Sequence, residues 1–154
     1  MKGPVIVASL LIAAVGGCFC DSLPRDFASF TIEKKLEVYS SAIESCGRGS
    51  HEARRMIVAH HEEAVTAILP YITREKADLP LGEAAQIVFE LALEDVPLRG
   101  SKVETELRRL LTSEDLLNSE RLTIRDTLVL IEKQEIPRQS GFQESGLDST
   151  IPET

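Results

Sequence analysis

Residues 83–95 read Glu-Ala-Ala-Gln-Ile-Val-Phe-Glu-Leu-Ala-Leu-Glu-Asp. Apolar side chains recur here at helical spacing: Ala84, Ile87, Val88, Leu91 and Ala92. They cover more of the helix circumference than the single stripe of a surface helix, so the helix must be buried on two sides. The stretch therefore predicts a central helix with neighbours on both sides.

Two further helices are predicted before this central stretch. The first has one apolar stripe at spacings of four and three: Ile32, Leu36, Tyr39, Ile43 and Cys46. Gly47-Arg48-Gly49 should end it, because glycine readily adopts the backbone conformation that closes a helix. Ser50 is placed to cap the next helix, which is predicted from about His51 to about Leu69. Pro70 should kink or end that helix, since it has no amide to donate.

Two more helices are predicted after the central stretch. Ser101 and Glu104 form a capping box, in which the serine accepts from an early amide and the glutamate reaches back. The apolar face of that fourth helix contains Val103, Leu107, Leu110 and Leu111. A fifth helix should start at Asn118 or Ser119 and end near Glu135. Its predicted apolar face contains Leu122, Ile124, Leu128 and Ile131.

The fold class that follows is all-α, with about five short amphipathic helices in one domain at 27–136. No alternating apolar pattern is bounded by the turn residues of a β-hairpin. Residues 137–154 are rich in Ser, Gly, Gln, Thr and Pro. Such a segment buries too little apolar surface to offset the entropy of ordering it, so a disordered tail is predicted.

Two weak internal sequence similarities bear on how the helices stack. Residues 63–69 resemble residues 83–89, and Asp-Leu-Pro-Leu at 78–81 resembles Asp-Val-Pro-Leu at 95–98. Short helices joined by proline-containing turns are similar to HEAT-type helical hairpins, which stack into α-solenoids. This resemblance spans roughly 50–135 and implies a HEAT-like stack. A plain helical bundle is the alternative.

The first 17 residues have the pattern of a secretory signal peptide. Lys2 provides the positive charge, an apolar run of 11 residues follows at 5–15, and two glycines come next. The alternative is an uncleaved membrane anchor. A spanning helix needs about 20 apolar residues, whereas the uncharged stretch at 3–20 has 18 and contains Pro4, Gly16 and Gly17.

The segment Val15-Gly16-Gly17-Cys18 resembles the lipobox of bacterial lipoproteins, in which the cysteine is lipidated and becomes the new N-terminus. The resemblance implies a lipid on Cys18, a tether at 18–26, and a membrane as partner of the lipid. Phe19 stands where lipoproteins of the inner membrane commonly have Asp, which implies the outer membrane facing the periplasm. Cleavage nearby, for example after Cys20, is the alternative and would give a secreted protein.

The remaining cysteines, Cys20 and Cys46, could then pair in an oxidising compartment. Closing a loop of about 25 residues would stabilise the fold by roughly 3 kcal/mol. In the alternative interpretation, Cys46 is simply a buried helix residue and Cys20 lies unpaired in the tether.

One histidine cluster could serve a metal. His60 and Glu63 can share a helix face, with His61 beside them and His51 upstream. A stable zinc site needs three or four converging ligands, and no second cluster supplies them. The favoured interpretation is therefore a set of surface histidines beside solvated carboxylates, with His60 partly buried. Another alternative places His61 at a bend between two short helices. No metal and no cofactor are predicted.

Motifs of nucleophilic catalysis and phosphate binding are missing from the sequence, so no catalytic residue and no enzyme are predicted. Arg54-Arg55 and Arg108-Arg109 lie among acids and are interpreted as surface ion pairs. The formal net charge of −8 becomes −9 when residues 1–17, which contain Lys2, are removed. Such a chain repels phosphate backbones, so nucleic acid is excluded as a partner.

The function expected on these grounds is non-catalytic binding of an unknown protein partner at a membrane. One alternative is an immunity or inhibitor protein that neutralises a toxin or enzyme, because an acidic protein is steered onto a basic one. A second is a metal-handling protein that uses His60 and His61, and a third is a structural envelope lipoprotein without a specific ligand.

Overall fold

The computed structural model describes residues 23–46 and 50–135. Over these residues the protein has six α-helices and no β-strand, and a 3₁₀ turn at Phe27–Ser29 precedes the first helix. The helices are Ile32–Cys46 (α1), His51–Val58 (α2), Glu62–Ile72 (α3), Leu81–Leu93 (α4), Lys102–Leu111 (α5) and Asn118–Lys133 (α6). The prediction of an all-α fold is confirmed. The predicted signal peptide, Cys18, Cys20 and the predicted tail at 137–154 lie outside the described residues.

Helix α4 is the central helix of the domain, as its broad apolar surface predicts. It packs against α2, α3 and α6, most extensively against α6. Six of its apolar side chains are at most 4% exposed: Ala84, Ala85, Ile87, Val88, Leu91 and Ala92. Burial of these residues from water is the main favourable contribution to the free energy of folding.

Helices α4 and α6 run in the same direction, because they lie close at both ends. At their N-terminal ends, Gly82 of α4 lies against Glu120 of α6: a Cβ built on Gly82 would be 3.6 Å from Cγ of Glu120. At the other ends, the side chain of Gln134 accepts a hydrogen bond from the amide of Leu98 (2.9 Å) and donates one to the carbonyl of Val96 (2.8 Å). The chain therefore leaves α6 beside the loop that follows α4.

The prediction of one helix from His51 to Leu69 is wrong, because the chain breaks between α2 and α3. His61 has φ of 49°, in the left-handed region, and α3 begins at the next residue. The alternative that placed His61 at a bend between two short helices is confirmed. Pro70 does not end α3, which runs two residues further to Ile72. Tyr71 and Ile72 are buried, so the last turn is held against the core.

Both predicted serine caps are present. Oγ of Ser50 accepts from the amide of Ala53 (3.3 Å), and Oγ of Ser101 accepts from the amide of Glu104 (3.2 Å). Oε2 of Glu104 reaches back one residue further than a capping box requires, to the amide of Gly100 (2.7 Å).

One predicted core residue of α6 is exposed. Leu122 is 60% exposed, so its assignment to the apolar face is wrong. The buried face of α6 contains Ile124, Thr127, Leu128 and Ile131. Leu122 lies two positions before Ile124, which is about 200° around a helix of 3.6 residues per turn. It therefore points away from the core. The HEAT-like repeat stays a prediction.

Replacing Glu104 with Gln should destabilise the protein in a pH-dependent way. Partial burial raises the pKa of the Glu104 carboxyl, but hydrogen bonds from Gly100 and Arg108 outweigh it and leave the pKa below its ordinary value of 4.5. A lowered carboxyl pKa stabilises the folded state above that ordinary value, and the contribution is lost as the pH falls through the lowered one. We expect Glu104→Gln to lower the free energy of unfolding by about 1 kcal/mol at pH 7.

Urea unfolding of both proteins between pH 7 and pH 3 measures this difference, which should shrink below about pH 4.5. Glu106→Gln is the matched control on the same helix, because Glu106 pairs with the exposed guanidinium of Arg109. Its effect should stay below about 0.5 kcal/mol. A Glu104→Gln effect that is constant with pH would contradict the role of the ionised carboxylate.

Candidate functional site

Arg54 is the centre of a polar network that joins three helices. Its Nε donates a hydrogen bond to Oε1 of Glu90 on α4 (2.8 Å), and its Nη1 donates one to the hydroxyl of Tyr39 on α1 (3.1 Å). The Tyr39 hydroxyl in turn donates to Oε2 of Glu83 (2.6 Å), which lies 3.6 Å from Nη1 of Arg54. We refer to Tyr39, Arg54, Glu83 and Glu90 as the Arg54 network.

The position of each member follows from the helix that carries it. Tyr39 belongs to the buried stripe of α1 and is 1% exposed, so its hydroxyl needs a partner where the ring ends. Glu83 and Glu90 are seven residues apart on α4, about two turns, and therefore share one face. Arg54 on the short helix α2 meets that face between them.

The network is largely shielded from water, and the shielding decides its chemistry. The side chains of Arg54, Glu83 and Glu90 are 16%, 24% and 14% exposed. Burial and the hydrogen bond to Glu83 raise the pKa of the Tyr39 phenol, so it remains a protonated donor. Burial lowers the pKa of Arg54, but its bonds to Tyr39 and Glu90 outweigh this and raise it. The four side chains contact one another and so form a structural clamp between α1, α2 and α4.

An open groove of about 690 Å³ lies between α2 and α4, next to the Arg54 network. Its α4 wall is formed by Gln86, Phe89, Glu90 and Leu93, which recur at helical spacing and so face the same way. Leu93 is 55% exposed there, which is unusual for a large apolar side chain on a central helix. Val58 continues the apolar strip on the α2 side. We refer to this surface as the α2–α4 groove.

The two rims of the groove differ in charge. His51, Arg54 and Arg55 line it from α2, and Glu90 and Glu94 line it from α4. Because Arg54 and Glu90 bind each other, the charges left for a ligand are mainly those of Arg55 and Glu94, which form no ion pair among the described residues.

His60 lies on the opposite side of the bend, in contact with a buried lysine. Its Nε2 is 2.7 Å from Nζ of Lys35, which is 4% exposed, and its Nδ1 is 3.2 Å from Oε2 of Glu63. A neutral imidazole can accept from the ammonium at Nε2 and donate to the carboxylate from Nδ1. The predicted proximity of His60 and Glu63 and the partial burial of His60 are confirmed.

The two adjacent histidines do not converge on a common site. His61 lines the α2–α4 groove together with His51, whereas His60 lines a separate groove of about 590 Å³ beside α1 and α3. Within 23–46 and 50–135, no group of three or more His, Cys, Asp or Glu side chains could hold a metal ion. Nε2 of His60, where a metal would bind, faces the ammonium of Lys35 instead.

Cys46 ends α1 and is disulfide-bonded. The other two cysteines, Cys18 and Cys20, are outside the described residues, so the Cys20–Cys46 pairing and the lipid on Cys18 stay predictions. No helix of the described part of the chain is long and apolar enough to cross a membrane.

Sequence reasoning missed the role of Arg54. The interpretation as surface ion pairs is wrong for Arg54, which is largely buried, and for Arg55, which forms no ion pair among the described residues. Exposed Arg108 and Arg109 do pair with nearby glutamates. One signal was available: a tyrosine on a buried stripe requires a partner for its hydroxyl. The sequence does not identify that partner, because it comes from two other helices.

Comparison with known proteins gives no relative: no family model, no curated protein and no solved structure matches the chain.

Arg54→Met should be far more destabilising than Lys35→Met, although both replace a buried cation by an apolar chain. Without Arg54, Glu83 and Glu90 keep their burial but lose their counter-charge, and we expect a loss of about 2–3 kcal/mol in the free energy of unfolding. Lys35 contacts the imidazole of His60 and has no carboxylate partner within the described residues, so its loss should cost under about 1 kcal/mol. Urea unfolding measures both values, and equal losses would contradict the clamp role of Arg54.

Proposed function

We propose that this chain is an exported protein, anchored to a membrane by lipid on Cys18, whose helical domain binds a protein partner without catalysing a reaction. The partner binds in the α2–α4 groove. The observation that carries the proposal is Leu93, 55% exposed on the central helix and set in a concave surface beside Phe89.

The shape and chemistry of the groove suit a protein segment. Large exposed apolar side chains set in a concave surface with polar rims are a usual feature of protein-binding sites. The partner that fits presents one large apolar side chain to Leu93 and Phe89. It also presents a carboxylate to Arg55, whose guanidinium has no carboxylate partner within the described residues. Such an apolar anchor supplies most of the binding energy, and the charges fix its orientation.

The state of the polar groups beside the groove supports binding over catalysis. Arg54, Glu83 and Glu90 satisfy one another, and the phenol of Tyr39 is held protonated by burial and by Glu83. The groove therefore presents a fixed shape and two charged rims. Every side chain of the Arg54 network is hydrogen-bonded or ion-paired to another member, which favours a structural role for the network beside a binding groove.

The proposed membrane location rests on the export pattern of 1–17 and the lipobox resemblance at Cys18. A multiply acylated terminus remains on a membrane, because each buried methylene contributes about 0.8 kcal/mol. If Cys20 is the disulfide partner of Cys46, the lipidated Cys18 lies two residues before a cysteine that is bonded to the end of α1. Ser50 and His51, at the start of α2, follow closely in the chain. The groove would then lie near the membrane surface.

Leu93→Asp in the full chain should weaken partner binding strongly without unfolding the domain. The aspartate places a charge in the apolar strip at an already exposed position, so stability should change little. Loss of one apolar anchor weakens binding by about 2 kcal/mol, or roughly thirtyfold. The measurement is mild crosslinking in the native envelope, followed by affinity capture and quantitative mass spectrometry.

The matched control is Leu122→Asp, which makes the same change at a residue 60% exposed on the outer face of α6. The wild type and the control should capture one common partner in a stoichiometric amount. Equal capture by Leu93→Asp and Leu122→Asp, or no stoichiometric partner in any sample, would refute the proposal.

A further inference from the structure

We propose that residues 136–154 of the same chain occupy the α2–α4 groove when no partner is bound, so that a partner must displace them. This inference rests on the proposed function of the groove and adds a regulatory element to it. Three observations carry it: where the chain leaves the helical domain, how much chain follows, and which side chains that segment contains.

The exit point of the chain is fixed beside the loop that follows α4. The side chain of Gln134 bonds the backbone of Val96 and Leu98, and the guanidinium of Arg99 donates to the carbonyl of Gln134 (2.6 Å). Val96 is only three residues beyond Leu93, which lines the groove. The segment that follows Glu135 therefore starts beside the loop that follows Leu93 in the chain.

The length of this segment is sufficient to cover the groove. Nineteen residues follow Glu135 in the sequence. The α4 wall belongs to a helix of 13 residues, about 20 Å long at 1.5 Å per residue. An extended chain spans about 3.3 Å per residue, so roughly six residues run its full length. The rest can serve as a linker from the exit point.

The side chains of the segment match the groove. Phe142, Leu147 and Ile151 are its large apolar residues downstream of Pro137, and each could bury against Phe89 and Leu93. Between and after them stand Glu144, Asp148 and Glu153, against one cation, Arg138. This acidic segment complements the α2 rim, where Arg55 and His51 lie.

An intramolecular contact of this kind needs little intrinsic affinity. A short flexible linker gives an effective concentration in the millimolar range. A segment whose dissociation constant for the groove is about 1 mM would then be bound about half of the time. A partner in solution would have to compete with it, and a tenfold tighter segment would weaken the partner's apparent affinity about tenfold.

Photocrosslinking in the full chain tests this inference. The photoreactive amino acid p-benzoylphenylalanine in place of Phe142 should crosslink to residues 86–94 or to α2, within one chain and independently of protein concentration. Leu93→Asp in the same chain should lower the yield at least fivefold. The control carries the photoreactive group in place of Leu122, on the outer face of α6, and should not label these residues.

Three outcomes would overturn the inference: crosslinks from position 142 that avoid the groove, crosslinks that form only between two chains, or a yield that ignores Leu93→Asp. A yield that ignores Leu93→Asp would show that the segment does not contact the groove. Crosslinks between two chains would show that the segment of a second copy occupies it. A second measurement uses Phe142→Ser in the full chain, which should raise partner affinity about twofold if the segment is bound half of the time and about tenfold if it binds tenfold more tightly. Unchanged affinity would also count against it.

The two proposals fail in different ways. If position 142 crosslinks to the groove but Leu93→Asp leaves partner capture intact, the proposed function is wrong and the intramolecular contact remains. If Leu93→Asp abolishes capture but position 142 does not reach the groove, the binding site stands and the regulatory segment is wrong.

Discussion

The largely buried guanidinium of Arg54 is the constraint on which the position of α2 depends. Helix α2 has eight residues, too few to be stable without tertiary contacts. Arg54 carries a charge that burial makes costly unless it is paired, and its partners lie on α1 and α4. The pairing therefore fixes α2 against the central helix. Because the α2–α4 groove is the space between these two helices, the same contact determines its width and the exposure of Leu93.

Much of the fold follows from the sequence, because helical periodicity is a local property. The stripe from Ile32 to Cys46, the broad apolar surface of the central helix and the caps at Ser50 and Ser101 all appear as predicted. The break between α2 and α3 depends on His61, which has positive φ without being glycine, and local sequence rarely signals that. The prediction that Leu122 lies on the apolar face of α6 is wrong for a related reason. Which face of α6 is buried depends on how that helix packs on its neighbours.

The site was less predictable because it is made by long-range contacts. Arg54 and Arg55 are adjacent and chemically identical, yet only Arg54 meets the carboxylates of α4. Conversely, His60 and His61 look like one cluster in the sequence, and the bend sends them into different grooves. In both pairs, adjacency in the chain does not predict which partners or grooves the side chains meet. Only the angle between helices decides which side chains meet, and the sequence pattern does not specify that angle.

In the proposed function, a lipid on Cys18 would limit the possible partners to those at a membrane surface. The most direct test of a membrane-tethered binding protein is the mass of its mature N-terminus. Wild type should yield a chain that begins at Cys18 and carries acyl groups, whereas Cys18→Ser should remain an unprocessed precursor. A mature chain that begins at Asp21 without lipid, or one that retains Met1 in the wild type, would contradict this account.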